Sequence, residues 1–249
     1  MNKILLTNDD GIEAPGLLAL LEILQDIAKI TVVAPMNNQS SCSLLRVFSQ
    51  NIPYEERQIL GSNRAIAVDS TTADCIGIAA LLLEDWPPDL VVSGINPGEN
   101  SGYDVLYSGT VAGALEASVH GVPSLAVSLL DSRARHIKDY EAAGRITKII
   151  IETLISNGIP PNCLLNLNIP RGPVKGIKVT AQGQTVYDDS LITSNNMIRV
   201  EAKSKSSLTN NMETDTYALR NGYATLTPLK LDMTAYDLLT NLKKWNLKI

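Results

Sequence analysis

Two adjacent carboxylates, Asp9 and Asp10, follow the short apolar run Ile4-Leu5-Leu6 and precede Gly11. Carboxylates held close together repel unless a cation lies between them or they share a proton. The pair is therefore a candidate for metal binding or proton transfer. The run before it reads as a buried strand of a parallel sheet, where strands are continuously hydrophobic rather than alternating. In open α/β sheets the chemistry sits beyond the carboxyl ends of the strands, which is where these acids fall. Neighbouring side chains on a strand face opposite ways, so Asp9 and Asp10 can share a partner only where the backbone has turned. Gly11 is free to adopt positive φ and suits that turn. A polar turn, with Asp10 or a neighbour capping the next helix, is the plainer alternative.

Three more segments offer oxygen or anion-binding groups: the loop Met36 to Ser43 with Ser40, the stretch Gly94 to Gly102 with Asn96, and Ser108-Gly109-Thr110 ahead of a helix. With Asp9 and Asp10 they provide two carboxylates, a hydroxyl and an amide carbonyl, a set that suits hard cations such as Mg²⁺, Mn²⁺ or Ca²⁺. Backbone N–H groups and hydroxyls at a helix start suit an anion. A cation site beside an anion site at the carboxyl edge of an α/β sheet reads as phosphoryl chemistry. Taken singly, each piece is ordinary. Ser40 is a loop hydroxyl, Asn96 precedes a proline as turn residues do, and Ser108 or Thr110 is a helix cap. His120, beside Gly121, reads as a C-terminal cap, and His136 lies in a charged stretch with no assigned role. Two histidines and no G-x-S-x-G argue against a multi-histidine zinc site and a Ser-His-Asp hydrolase.

The elements that must bring these groups together alternate. Strands are expected at 30–34, 65–68, 89–93 and 124–130, and helices after Pro15, from Cys75 to Leu83, from Val111 to His120 and from about Asp139 to Asn157. Thr71 and Asp74 are spaced like a capping box, and the helix behind them is apolar nearly all round, hence buried. Short connections between alternating strands and helices mark βαβ units and a parallel sheet. Residues 44–64 read as a hairpin or excursion. Beyond Asn162, strands are expected at 164–170, 176–180 and 222–228, an extended hairpin or loop excursion over 187–214, and a last helix near Thr234.

The chain has 249 residues, 45% hydrophobic and 19% charged, with a net charge of -5 and no long basic run. A broad nucleic-acid-binding face is not expected, whereas a small phosphate remains accessible through a bound cation. Cys42, Cys75 and Cys163 are too widely spaced for a zinc site or a disulfide framework and read as buried thiols in a reducing compartment. The first strand begins at once, so no secretory leader is expected, and no apolar stretch is long enough to span a membrane. A cytoplasmic protein is the expectation.

Together these stretches resemble the stationary-phase survival (SurE) family of metal-dependent 5′-nucleotidases. The resemblance rests on Thr7-Asn8-Asp9-Asp10-Gly11, Val33-Ala34-Pro35 through Gln39-Ser40, Ser93-Gly94-Ile95-Asn96 with Gly98 and Asn100, Tyr107 to Val111, Leu165 to Pro170, and Gly222-Tyr223 through Thr227-Pro228-Leu229. It implies a three-layer α/β/α fold with a Rossmann-like, mostly parallel sheet and a C-terminal β-rich extension exchanged between subunits. In domain terms it implies one unit over 1–249, with a core at 1–160 and an oligomerisation elaboration at 161–249. By the same resemblance, Asp9, Asp10, Ser40 and Asn96 are the metal ligands, for one Mg²⁺, Mn²⁺ or Co²⁺ per subunit. Asp9 and Asp10 are catalytic, and Asn96, Ser108, Gly109 and Thr110 face the phosphate. The implied substrate is a nucleoside monophosphate, with 3′-nucleotides and short polyphosphate as further candidates, and the implied assembly is a homodimer or homotetramer.

Two departures stand out. Ser70-Thr71-Thr72 replaces the Gly-Thr-Pro usual in the family, which is expected to alter only the stiffness of a helix entrance, and Ala181 replaces a common arginine, which bears on substrate preference. A phosphoaspartate phosphatase of the haloacid-dehalogenase kind needs Asp-x-Asp, and a non-catalytic nucleotide-binding module would carry G-x-G-x-x-G after the first strand. Neither pattern is present.

Overall fold

The computed structural model describes residues 2–158, 160, 163–204 and 208–245. The chain opens with β1 (Asn2–Thr7), α1 (Pro15–Leu24), β2 (Ala28–Pro35), β3 (Tyr54–Arg57), β4 (Arg64–Val68) and α2 (Thr72–Leu82). It continues with β5 (Leu90–Pro97), α3 (Gly109–Val119), β6 (Ser124–Leu130), α4 (Glu141–Asn157) and β7 (Leu164–Pro170). The remainder contributes β8 (Ile177–Val179), the hairpin β9 (Tyr187–Ser194) and β10 (Met197–Ser204), α5 (Asp215–Arg220), β11 (Ala224–Leu229) and α6 (Tyr236–Leu242). Nine strands form one sheet in the order β3-β4-β2-β1-β5-β6-β7-β11-β8. From β4 to β7 every pairing is parallel, while β3 and β11 pair antiparallel with β4 and β7.

Alternation along β1 sorts its side chains between the two faces. Ile4 and Leu6 join the cluster of Leu17, Leu20 and Leu24 from α1 and Ile150 and Ile151 from α4, while Leu5 points the other way to Cys75 and Ile76 of α2. Helices therefore cover both faces, and an unbroken apolar strand is what that burial requires. The mostly parallel three-layer α/β/α sheet is the expected fold, and the antiparallel β9–β10 pair near the C-terminus is the β-rich extension. Strand order reverses between β1 and β5: from β1 the chain works outward to β2 and β4, then returns to β5 and continues to β6 and β7. A crevice at such a reversal is where open α/β sheets bind ligands.

Several local expectations are corrected. Residues 44–53 are irregular, while the rest of 44–64 leads into the expected hairpin, β3 pairing antiparallel with β4 at the sheet edge. Thr71 caps α2 through a bond from the Asp74 N–H at 3.2 Å, but the Asp74 carboxylate accepts from Arg46, the Val47 N–H and the Ser70 and Thr71 hydroxyls rather than closing a capping box. α2 is not buried all round, since Leu81 is 90% exposed at its far end. β5 runs on to Pro97, past a register shift between Ser93 and Asn96, so Asn96 belongs to the end of a strand rather than a loop. Only Cys75 is a buried thiol; Cys42 and Cys163 are partly exposed. α5, a helix of six residues, is unannounced by any periodicity in the sequence.

Candidate functional site

The turn after β1 is built by its own residues. Asn8, fully buried, donates from Nδ2 to the Gly11 carbonyl at 2.9 Å and accepts from the Gly11 N–H at 3.2 Å. Gly11 takes φ of +112°, a conformation that a side chain would strain. α1 has Ala14 at its N-cap and no side-chain cap, so Asp10 does not serve as a cap.

Asp9 is 4% exposed and lies against the start of α3. Its Oδ1 accepts from Thr110 Oγ1 at 2.5 Å, and its carbonyl accepts from the Gln39 N–H at 2.6 Å. The close approach depends on Gly109, because a Cβ there would stand 2.8 Å from Asp9 Oδ2. Burial raises the Asp9 carboxyl above the ordinary aspartate range, against bonds from the Thr110 hydroxyl and backbone N–H. Asp10 is pushed up to about 7, first by burial and then by the charge of Asp9, with Arg135 and a 3.2 Å bond from Asn38 Nδ2 pulling the other way.

Asp9, Asp10, Ser40, Asn96 and Ser108 line one cavity of about 610 Å³ at the strand reversal. Ser40 is exposed at its edge, with its backbone N–H bonded to Asn38 Oδ1 at 2.9 Å. Asn96 donates from Nδ2 to the Gly98 carbonyl at 2.9 Å, which leaves its Oδ1 as the atom to offer a cation. Of the three residues expected to face a phosphate from the α3 entrance, only Ser108 lines the cavity; its Oγ accepts from the Val111 N–H at 3.1 Å as the cap of α3. Gly109 and Thr110 are buried beneath Asp9, so the anion that α3 meets first is the Asp9 carboxylate itself.

The same cavity takes in Glu99, Asp104, Tyr187 and Asp189, which no local sequence pattern marks. Burial raises both Glu99 and Asp104; the first accepts from Ser101 Oγ at 2.9 Å and the second from the Tyr187 hydroxyl. A phosphate could not enter a cavity lined by five carboxylates without a cation to reverse the field. Among the described residues no three His, Cys, Asp or Glu side chains are placed to hold a metal ion. The donor set here is of another kind, two carboxylates with a hydroxyl and an amide oxygen, and it fits a hard cation.

Comparison with known proteins now places the chain. A family model described as "Survival protein SurE" matches residues 4–189. The chain belongs to the SurE family. A relative from Chloroflexus aggregans named "5'-nucleotidase SurE" is 39% identical over 254 residues, covering 97% of this chain and 98% of its own. Another with that name from Campylobacter jejuni subsp. jejuni is 38% identical, covering 98% of each. The crystal structure of the SurE protein from Aquifex aeolicus superposes with a TM-score of 0.82 at 36% identity, covering 97% of this chain and 98% of that one.

Within this SurE chain the departure at Ser70-Thr71-Thr72 does more than stiffen a helix entrance. Ser70 Oγ donates to Asp74 Oδ2 at 2.5 Å, and Thr72 Oγ1 donates to the Asn8 carbonyl at 3.1 Å, directly behind the acid pair. Ala181 does not line the cavity. Its neighbour Gln182 donates to the Gly102 carbonyl at 2.8 Å.

Proposed function

We propose that this SurE family member is a metal-dependent 5′-nucleotidase, which hydrolyses a nucleoside monophosphate to nucleoside and phosphate. The observation that carries the reading is the Asp9–Asp10 pair at the strand reversal, with Asp9 buried against the N-terminus of α3 and Asp10 half-buried beside it. The full-length relatives named 5′-nucleotidase agree with it, and they do not favour the phosphoaspartate or non-catalytic readings.

Asp9, Asp10, Ser40 and Asn96 are the residues that would hold a divalent cation (Mg²⁺, Mn²⁺ or Co²⁺, one per subunit). Such a cation, when bound, polarises a phosphate oxygen and supplies a nucleophilic water at neutral pH. Thr110 orients Asp9 and fixes which oxygen it presents to the cavity. Asp9 is also the group we assign to take the proton of the attacking water. Asn96 and Ser108, with the N-terminus of α3, stabilise the charge that develops on the phosphoryl oxygens. 3′-Nucleotides and short polyphosphate present the same terminal phosphoryl group and are further candidate substrates.

We further propose that the chain is one domain over 1–249 and assembles as a homodimer or homotetramer through its C-terminal segments. Strands β7, β8 and β11 complete the same sheet as β1 to β6, which supports a single unit. Exposed Leu191, Ile192, Ile198 and Val200 on the β9–β10 hairpin, and an α6 with no buried residue, support an extension completed by a second copy. No helix of the described residues is long and apolar enough to cross a membrane, and the expected cytoplasmic location belongs to this reading.

Phosphate release from AMP, with and without EDTA and with Mg²⁺, Mn²⁺ or Co²⁺ restored, tests the function. Metal-restored hydrolysis is the expected result, and hydrolysis indifferent to EDTA would refute it.

A further inference from the structure

Segment 36–53, which carries Ser40, contains no helix or strand, and Ser41, Ser43 and Ser49 adopt φ of 65°, 49° and 58°. A ligand on such a loop is only as well placed as the contacts that fix the loop. Beside the Gln39 N–H bond to the Asp9 carbonyl, the loop is held by an arginine six residues beyond Ser40. Arg46 donates from Nε to Asp74 Oδ1 at 2.9 Å and from Nη1 to Glu116. Asp74 and Glu116 are 1% and 6% exposed, so each needs a positive partner.

The two carboxylates belong to different helices. Asp74 sits in the first turn of α2 and Glu116 in α3, the helix whose other end meets Asp9. The same junction is reinforced by the loop backbone. The Val47 N–H donates to the two Asp74 oxygens at 3.1 and 3.2 Å, and the Leu45 carbonyl accepts from Thr71 Oγ1 at 2.7 Å. α2 leaves room for the guanidinium at Gly77, where a Cβ would stand 2.5 Å from Arg46 Nη2.

We propose that Arg46 is a positioning residue that sets Ser40 relative to Asp9 by tying the Ser40 loop to α2 and α3 at once. The proposal rests on the metal-dependent reading above, since it assigns Ser40 a place among the cation ligands. The planar guanidinium reaches both carboxylates through separate N–H groups, a geometry that a lysine ammonium cannot reproduce. Arg46 touches neither cation nor substrate, so its effect reaches the site only through the loop.

The test is Mn²⁺ affinity of the full chain, read by electron paramagnetic resonance of free Mn²⁺, together with the inhibition constant of inorganic phosphate. Arg46→Lys keeps a positive charge between the carboxylates and is expected to weaken Mn²⁺ binding by about tenfold, with phosphate inhibition weakened in parallel. Glu116→Gln, isosteric and still able to accept from the guanidinium, is expected to give a smaller loss of the same sign. A core variant such as Ile30→Val, remote from the loop, is compared at equal loss of melting temperature and is expected to stay within twofold of wild type. If Arg46→Lys binds Mn²⁺ within twofold of wild type, or loses no more than the core variant, the positioning role is overturned and the functional reading stands. If the wild-type chain itself binds no Mn²⁺, both are overturned.

Discussion

Thr110 Oγ1 donates to Asp9 Oδ1 at 2.5 Å, joining the entrance of α3 to the end of β1 across 101 positions of sequence. That contact turns a residue with the sequence signature of a helix cap into the group that orients a buried carboxylate. Thr110→Val keeps the shape and removes the donor. On the scale of outer-shell partners of metal ligands, kcat/KM for AMP should fall by about 10–100-fold. Thr110→Ser should retain most of the activity. Steady-state kinetics of the two variants checks this, and equal activity would mean that the contact does not orient Asp9.

Gly109 is the complementary case. An added Cβ would meet Asp9 Cβ at 2.7 Å and Oδ2 at 2.8 Å, so Gly109→Ala must push α3 away from β1. The displaced groups carry the acid pair and the Ser108 cap, and the activity loss should exceed that of Thr110→Val. Overpacking the α3–β1 contact lowers the melting temperature as well, and the rate should fall further than a remote core variant of equal melting-temperature loss shows. Kinetics and thermal unfolding on the same preparation separate the two effects.

Asp10 links the site to pH. In the metal-free chain both Asp9 and Asp10 titrate above the ordinary 3.8, Asp10 at about 7. Between 3.8 and about 7 the folded chain holds a proton on Asp10 that the unfolded chain has lost, so stability falls as pH rises through that window, and Asp9 acts in the same direction. Glu99, Asp104 and Asp215 are raised by burial too and act in the same direction. Melting in EDTA should therefore occur at a lower temperature at pH 8 than at pH 5.5, and a divalent cation should restore more at pH 8. Asp10→Asn removes one charge of the pair. It should abolish turnover and yet melt higher than wild type at pH 8 in EDTA. A variant that kept wild-type activity with saturating metal would refute the assignment.

How far the site could be read from sequence depends on how local its causes are. The buried strand ahead of Asp9, the positive-φ turn at Gly11 and the Ser108 cap follow from a few adjacent residues, and the structure has all three. Glu99, Asp104, Tyr187 and Asp189 reach the cavity only through the convergence of distant segments; the Tyr187–Asp104 bond spans 83 positions. Arg46 is hidden for the same reason, since its partners lie 28 and 70 residues away. β8 falls inside the alternating stretch 176–180, whereas α5, at six residues, is too short for periodicity to reveal.

The C-terminal helix carries the last prediction. α6 buries none of its residues, and Met233, Tyr236, Leu238, Leu242 and Trp245 all lie exposed on or beside it. An amphipathic helix that covers nothing in its own chain gains little from folding, because most helical stability comes from tertiary packing of the apolar face. A second copy is the partner that the proposed exchange supplies. Leu238→Asp combined with Leu242→Asp touches no buried contact of the described chain and should leave the α/β core intact. It should nevertheless shift the assembly toward monomer in light scattering coupled to gel filtration. If the double variant keeps the wild-type mass at micromolar concentration, α6 is not part of the subunit interface.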